Sequence, residues 1–315
     1  MPLNKQFTPE GFYSLSEEKT ITNYTPTRLA DAKSSGEILE ATVTLCDSEH
    51  NLFVDLGCIK GIIPRTEGAI GIAEGKTRDI ALISKVGKPV CFMVEELTYN
   101  SDGKLIARLS RTKAQKKFLE HFLENYTCGD VITAKITHLE KFGAFCDIGC
   151  GVIALLPIDA ISVSRIAHPS DRFSVGEVIK VIIKSVDDDG KITLSHKELL
   201  GTWEENAALF SEGMTVSGIV RSKESYGIFV ELAPNLAGLA EPKDGVLPGM
   251  TAGVFIKSII PEKMKIKLII IDSFPGHNKN KQEYFYKDDH ISFWQYSPEN
   301  CPKNIYTDFL HQKDI

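Results

Sequence analysis

Three pentapeptides of this chain are one strand written three times: Leu52-Phe53-Val54-Asp55-Leu56, Ala144-Phe145-Cys146-Asp147-Ile148 and Ile228-Phe229-Val230-Glu231-Leu232. Alternate residues of a β-strand share a face. Leu52/Val54/Leu56, Ala144/Cys146/Ile148 and Ile228/Val230/Leu232 are therefore expected in a core. Phe53/Asp55, Phe145/Asp147 and Phe229/Glu231 are expected on the opposite, polar face. An aromatic kept on a wet face in three copies needs a reason, and stacking on nucleobases supplies one.

The repeat runs well beyond these strands. Gly129-Asp130 opens an alternating apolar run that reaches Phe142-Gly143-Ala144-Phe145, and Gly213-Met214 opens its counterpart, which reaches Tyr226-Gly227-Ile228-Phe229 at the same offset. Gly36-Glu37 opens a third copy with one extra residue before Phe53 and with His50 in place of the first aromatic. The middle copy holds five strand-like segments, at about 131–139, 143–148, 152–156, 178–186 and 191–194, with Asp187-Asp188-Asp189-Gly190 as the last turn. A fixed period can mean a propeller or solenoid. This unit is longer than a propeller blade, and its size suits a small closed barrel with its own core. Residues 157–176, with Pro169, read as a loop carrying a short helical turn. Five short strands with such an insertion fit the OB-fold.

Between the units the period changes. Ala114, Phe118, Phe122 and Tyr126 recur every four residues with Leu119 and Leu123 beside them, the pattern of an amphipathic helix. A shorter helix is expected over 199–210 with Trp203 as its anchor, and Pro26 suggests one helical turn before the first barrel. The predicted fold class is all-β: three tandem five-stranded OB-fold barrels joined by short helices, with an aromatic C-terminal tail. The predicted parts are an extension (1–35), a divergent first repeat (36–112), a linker helix (113–127), a second repeat (128–198), a linker helix (199–210), a third repeat (211–274), and a linker with tail (275–315). The tail holds Tyr284, Phe285, Tyr286, Phe293, Trp294, Tyr296, Tyr306 and Phe309, too many aromatics for a solvated spacer, so it is expected to dock on the third barrel over Tyr226 and Phe229.

Composition narrows the function. The chain is 43% apolar with no apolar run long enough to cross a bilayer, and its first residues do not read as a signal peptide. Seven scattered cysteines without a Cys-x-x-Cys pair suit reduced thiols of a cytoplasmic protein. A net charge of −6 argues against strong electrostatic grip on nucleic acid, because phosphate neutralisation supplies most non-specific affinity. Stacking in a locally basic groove remains open. Three adjacent aspartates at 187–189 do not converge on one ion, and Cys128, Cys146, Cys150 and His138 read as buried or scattered groups and not as a zinc site. No catalytic triad, phosphate-binding loop or dinucleotide fingerprint is present. The expectation is no enzyme, no metal and no cofactor.

The middle unit resembles the S-one RNA-binding domain, the OB-fold repeat of the largest bacterial small-subunit ribosomal protein. The resemblance rests on Gly129-Asp130, on Phe142-Gly143-Ala144-Phe145 after Lys141, on His168-Pro169-Ser170-Asp171, on the run from Val175 to Val181, and on Asp187 through Ser195. It covers Gly36 to about Phe274 and is closest in the second unit. In that family two aromatics, a later His, and an Asp and an Arg near the last hairpin line the RNA groove. The resemblance places Phe142, Phe145, Asp187 and Lys191 on four of these positions, with Pro157 where the His would be and Lys in place of the commoner Arg. In the third unit it places Tyr226, Phe229 and Lys265, with Glu241 at the His position. In the first it places His50 and Arg65, and leaves Lys104 and Arg108 as alternative equivalents. Lys141 adjoins the aromatic turn. His168 reads as a loop cap first and a phosphate contact second. The whole arrangement is similar to the three-repeat proteins of this kind in low-GC Gram-positive bacteria, which share the Tyr296-Ser297-Pro298-Glu299-Asn300-Cys301-Pro302 pattern.

The resemblance implies a monomer that binds single-stranded messenger RNA at the small ribosomal subunit, with small-subunit proteins as further partners and no membrane. The alternative is a protein-interaction scaffold of the ribosome or RNA-decay machinery with degenerate barrels, favoured if the tail covers the Phe145 face.

Overall fold

The computed structural model describes residues 7–12, 24–57, 59–276 and 283–311. The chain divides into two units, 1–126 with 147–153, and 127–146 with 154–315.

In the first unit, α1 (Pro26–Ser35) leads into the barrel. The Thr25 side chain accepts from the Arg28 N–H, Pro26 supplies a preset φ, and Gly36 ends the helix in the left-handed region at φ 64°. It is a ten-residue helix, longer than the single turn expected. The barrel strands are β1 (Ile38–Cys46), β2 (Leu52–Asp55), β3 (Lys60–Ile63), β4 (Pro89–Tyr99) and β5 (Leu105–Ser110), with α2 (Ile80–Ile83) between β3 and β4. They close in the order β1-β2-β3-β5-β4, with β3 parallel to β5 and the other neighbours antiparallel. The alternation predicted from sequence holds on the inner side: Val43, Leu52, Val54, Leu56, Phe92 and Leu109 are buried together. Next comes α3 (Arg111–Asn125), capped by the Ser110 side chain, with Ala114, Phe118 and Phe122 as its buried stripe.

The second barrel is β6 (Val131–Glu140), β7 (Gly143–Gly149), β8 (Val152–Pro157), β9 (Val178–Val186) and β10 (Ile192–Ser195), closed in the order β10-β8-β7-β6-β9. The third is β11 (Thr215–Glu224), β12 (Gly227–Ala233), β13 (Leu236–Ala240), β14 (Thr251–Ile260) and β15 (Lys265–Phe274), closed in the order β11-β12-β13-β15-β14. Three closed five-stranded barrels with a shared strand order make the chain a tandem OB-fold protein. The helix expected over 199–210 is shorter: a 3₁₀ turn at Lys197–Leu200, then α4 (Trp203–Ala207), started by a reciprocal capping box between Thr202 and Glu205.

The expectation fails for two of the three strand carboxylates. Only Asp55 is exposed; Asp147 and Glu231 are buried. Within the first unit Asp147 Oδ1 accepts the Gly149 and Gly151 N–H groups and Oδ2 accepts the Glu10 N–H. Glu10 in turn holds Arg111 in a bidentate pair at 2.7 and 3.0 Å and Lys85 at 2.7 Å. Within the second unit Glu231 accepts from Arg172 at 2.9 and 2.6 Å and from Arg221 at 2.7 and 3.1 Å. Period-two alternation predicts which side of a strand a residue takes. It is silent about whether another segment covers that side.

The tail docks, as its aromatic content predicts, but elsewhere than over Tyr226 and Phe229. Ile291, Trp294, Tyr296 and Phe309 are buried in the second unit's core with Leu199, Trp203 and Leu236. The Trp203 N–H donates to the Tyr296 carbonyl, the Tyr296 hydroxyl to the Asn235 carbonyl, and the Thr307 hydroxyl to Glu198. Gly129 makes room for this contact: a Cβ there would stand 2.3 Å from the Ile291 carbonyl oxygen, and the residue sits at φ 95°. Two short strands, β16 (Phe293–Gln295) and β17 (Tyr306–Asp308), pair antiparallel in the tail. Phe293 stays half exposed, stacked on Tyr306.

Candidate nucleic-acid interface

The aromatic pairs predicted from the repeat come together on two barrels, and in the same geometry. Phe142 and Phe145 meet edge to face with centroids 5.9 Å apart and planes at 89°. Tyr226 and Phe229 meet at 6.2 Å and 87°. The outer ring of each pair is open to solvent, Phe142 at 55% and Tyr226 at 65% exposure, and the inner ring is half buried. This arises from the strand itself. Gly143 and Gly227 precede the repeated strand, and a Cβ at either would stand 2.5 or 2.7 Å from a carbonyl of the next strand. The chain can therefore turn tightly and bring residues three apart onto one face. His138 adds a third ring to the second barrel, stacked on Phe145 at 6.3 Å and 26°.

Sheet register extends the site across the barrel. In the third barrel Phe229 pairs with Leu239, and Leu239 with Lys267 on the parallel neighbour β15. In the first, Leu45 pairs with Phe53, Phe53 with Ile62, and Ile62 with Arg108. In the second, Gly143 closes on Leu156 and Leu155 as Gly227 closes on Ala240 and Leu239, and Leu155 pairs with Thr193. The three rows thus read aromatic, aliphatic, then Arg108, Thr193 or Lys267. Arg108 stands in this row on the first barrel, and Lys104 precedes the start of β5. Lys265, which the resemblance indicates, lies two residues before Lys267 on the same face of β15. Alternation shows that the two lysines share a face, but only the parallel register shows which one stands in line with Phe229.

The remaining predicted residues lie as follows. Lys141 is exposed beside Phe142. Asp187 closes the β9–β10 turn, its Oδ1 accepting the Lys191 N–H at 2.7 Å. Lys191 is engaged by Asp189 at 3.0 Å, and that hydrogen bond raises its pKa. His168 is the cap it was first read to be: its Nδ1 accepts from the Ser170 N–H, with Asp171 completing the box. Lys265 is exposed at the start of β15. Glu241 is exposed. On the first barrel His50 sits at φ 64° and 3.9 Å from Asp79, which Arg65 holds at 2.7 Å. The Arg65 guanidinium, hydrogen-bonded to Asp79, keeps that carboxyl below its usual range. Both first-barrel substitutes for the family's ligands therefore face a carboxylate of their own barrel. Among the described residues no three His, Cys, Asp or Glu side chains gather as a metal site, and no helix is long and apolar enough to cross a membrane.

Residues 126–197, the second barrel, match the family model of the S1 RNA binding domain. Across 284 residues the chain is 31% identical to small ribosomal subunit protein bS1 of Staphylococcus aureus strain COL, covering 85% of this chain and 70% of that protein. The chain belongs to the bS1 family. The bS1 proteins of Staphylococcus haemolyticus, 31% identical over 84% of this chain and 69% of theirs, and of Staphylococcus epidermidis, 30% identical over 85% and 70%, give the same relation. The family match centres on the barrel in which Phe142 and Phe145 form the exposed pair.

Proposed function

We propose that the chain binds single-stranded RNA through its tandem barrels and acts in translation at the small ribosomal subunit, as a cytoplasmic, non-enzymatic protein. The repeats at 36–112, 128–198 and 211–274 are its working domains. The observation that carries this reading is the exposed edge-to-face aromatic pair at the same strand position in two barrels. A soluble domain gains nothing in stability from leaving such rings in water, whereas every nucleobase offers a face to stack on. The small-subunit name of the bS1 relatives supports the ribosomal setting. Phe142, Phe145, Lys141, Asp187, Lys191 and His168 form the second-barrel site in this proposal, and Tyr226, Phe229 and Lys265 the third. Linked weak sites reinforce one another through effective concentration, which offsets the acidic net charge.

The test is titration of the full chain with a fluorescent 12-nucleotide oligouridylate. Phe142→Ala with Phe145→Ala should weaken binding by about 2–5 kcal/mol and leave the urea midpoint unchanged. An equal loss from Phe53→Ala alone would move the primary site to the first barrel. The scaffold reading would be favoured by a tail covering the Phe145 face; the tail packs instead with Leu199, Trp203 and Leu236.

A further inference from the structure

We propose that Lys267 is the backbone-phosphate contact of the third barrel, and that the residue at this row position sets how strongly each barrel's binding depends on salt. The inference rests on the RNA-binding reading above and adds to it a residue and a measurable division of labour. Phe229, Leu239 and Lys267 lie abreast on three adjacent strands. Strands stand about 4.8 Å apart, so the Lys267 backbone is about 10 Å from that of Phe229. A base stacked on Tyr226 and Phe229 lays its sugar-phosphate over Leu239, within reach of a four-carbon ammonium. Lys267 is exposed and forms no ion pair among the described residues. Lys191 on the second barrel is already held by Asp189 at 3.0 Å.

The row position separates the barrels chemically. Thr193 stands there in the second barrel, which therefore grips mainly by stacking, with Phe142, Phe145 and His138 supplying the rings. Lys267 stands there in the third, with two rings. Lys265 shares the face of Lys267 but lies two residues along the strand, past the end of the stacked pair. The ligand class is a phosphodiester strand, read by charge and not by sequence.

The experiment measures oligouridylate affinity against salt for the full chain and for six variants: Lys267→Gln, Lys265→Gln, Lys267→Arg, Phe142→Ala/Phe145→Ala, and each of the two glutamine changes in that double-alanine background. One lost phosphate contact on a single strand lowers the log–log salt slope by about 0.7. Lys267→Gln should do so and weaken low-salt binding severalfold, most visibly in the double-alanine background. Lys265→Gln should change the slope by less than half as much. Lys267→Arg, which keeps the charge, should keep the wild-type slope. If the wild type binds and Lys267→Gln leaves the slope unchanged, the phosphate assignment is overturned and the RNA-binding reading stands. If Lys265→Gln carries the larger change, the register argument is overturned. Absence of wild-type binding would overturn both this proposal and the function it rests on.

Discussion

Asp55, Asp147 and Glu231 occupy one place in a strand written three times, yet they meet three environments. Asp55 is exposed. Asp147 is buried beside a second carboxylate, Glu10, and relies on backbone N–H groups. Glu231 is buried between two guanidiniums. A repeat transmits a backbone and a side-chain direction; the chemistry of the position comes from whatever packs against it. The electrostatics diverge accordingly. Burial pushes Asp147 up to about 6, and the Glu10 charge adds to the rise. Burial would raise Glu10 too, but Arg111 and Lys85 outweigh it and hold that carboxyl at about 2.

The largest expected effect lies at Glu231. Arg172→Leu removes one of the two guanidiniums that pair with it and the link to Ser162, and should cost about 3–5 kcal/mol in urea unfolding, because a buried charge loses compensation. A cost below 1 kcal/mol would mean that Arg221 suffices and that the comparison with Asp147 is weaker than it looks. The aromatic platforms come next. Tyr226→Ala with Phe229→Ala should cost less RNA affinity than the about 2–5 kcal/mol expected at Phe142 and Phe145, since the second barrel has the additional His138 ring. Equal losses would make the two barrels equivalent sites.

Asp147 supplies a smaller effect with a definite sign. Its folded pKa lies above the unfolded value of 3.8, so the native state binds the proton more tightly. The stability it contributes is fully present below pH 4 and is lost as pH rises through about 6. Glu10 acts oppositely, with stability present above its unfolded value and lost as pH falls through about 2. Asp147→Asn cannot titrate. Wild type should therefore gain about 1–3 kcal/mol relative to this variant between pH 7.5 and 4.5, read as the shift in the difference of urea midpoints. A difference that stays flat with pH would show that Asp147 is ionised throughout. The smallest effect belongs to Lys191. Its exposed pair with Asp189 should leave the urea midpoint of Lys191→Gln unmoved, and that variant should lower the salt slope of RNA binding, about −1 to −3 for the whole chain, by less than Lys267→Gln does.

The sequence made the barrels legible because their signal is local: period-two alternation, glycines at fixed offsets and the Asp187–Gly190 turn locate strands and aromatics without knowledge of the rest. The inner faces of all three repeated strands are buried as alternation requires. What it could not show depends on residues far apart in the chain. Nothing near Asp147 announces Glu10, 137 positions away, and nothing near Glu231 announces Arg172, 59 away. Which of Lys265 and Lys267 stands in line with Phe229 is set by the parallel pair between β13 and β15, with no hairpin to fix it. The tail's hydrophobic content signalled docking, but its destination was decided by shape: the room above Gly129 and the Asn235 carbonyl waiting for Tyr296.

That docking has a consequence for how the molecule is made. The residues from Tyr284 to Phe309 pack into the core shared by the second unit's barrels, and they follow both barrels in the chain. Domains fold as they leave the ribosome, N-terminal first. Both barrels are thus exposed before the segment carrying Trp294, Tyr296 and Phe309 exists. During that interval Trp203, Leu199 and Leu236 lack their final cover. Synthesis therefore passes through a stage in which an apolar seam is open to solvent, and translational pausing within the tail would prolong it.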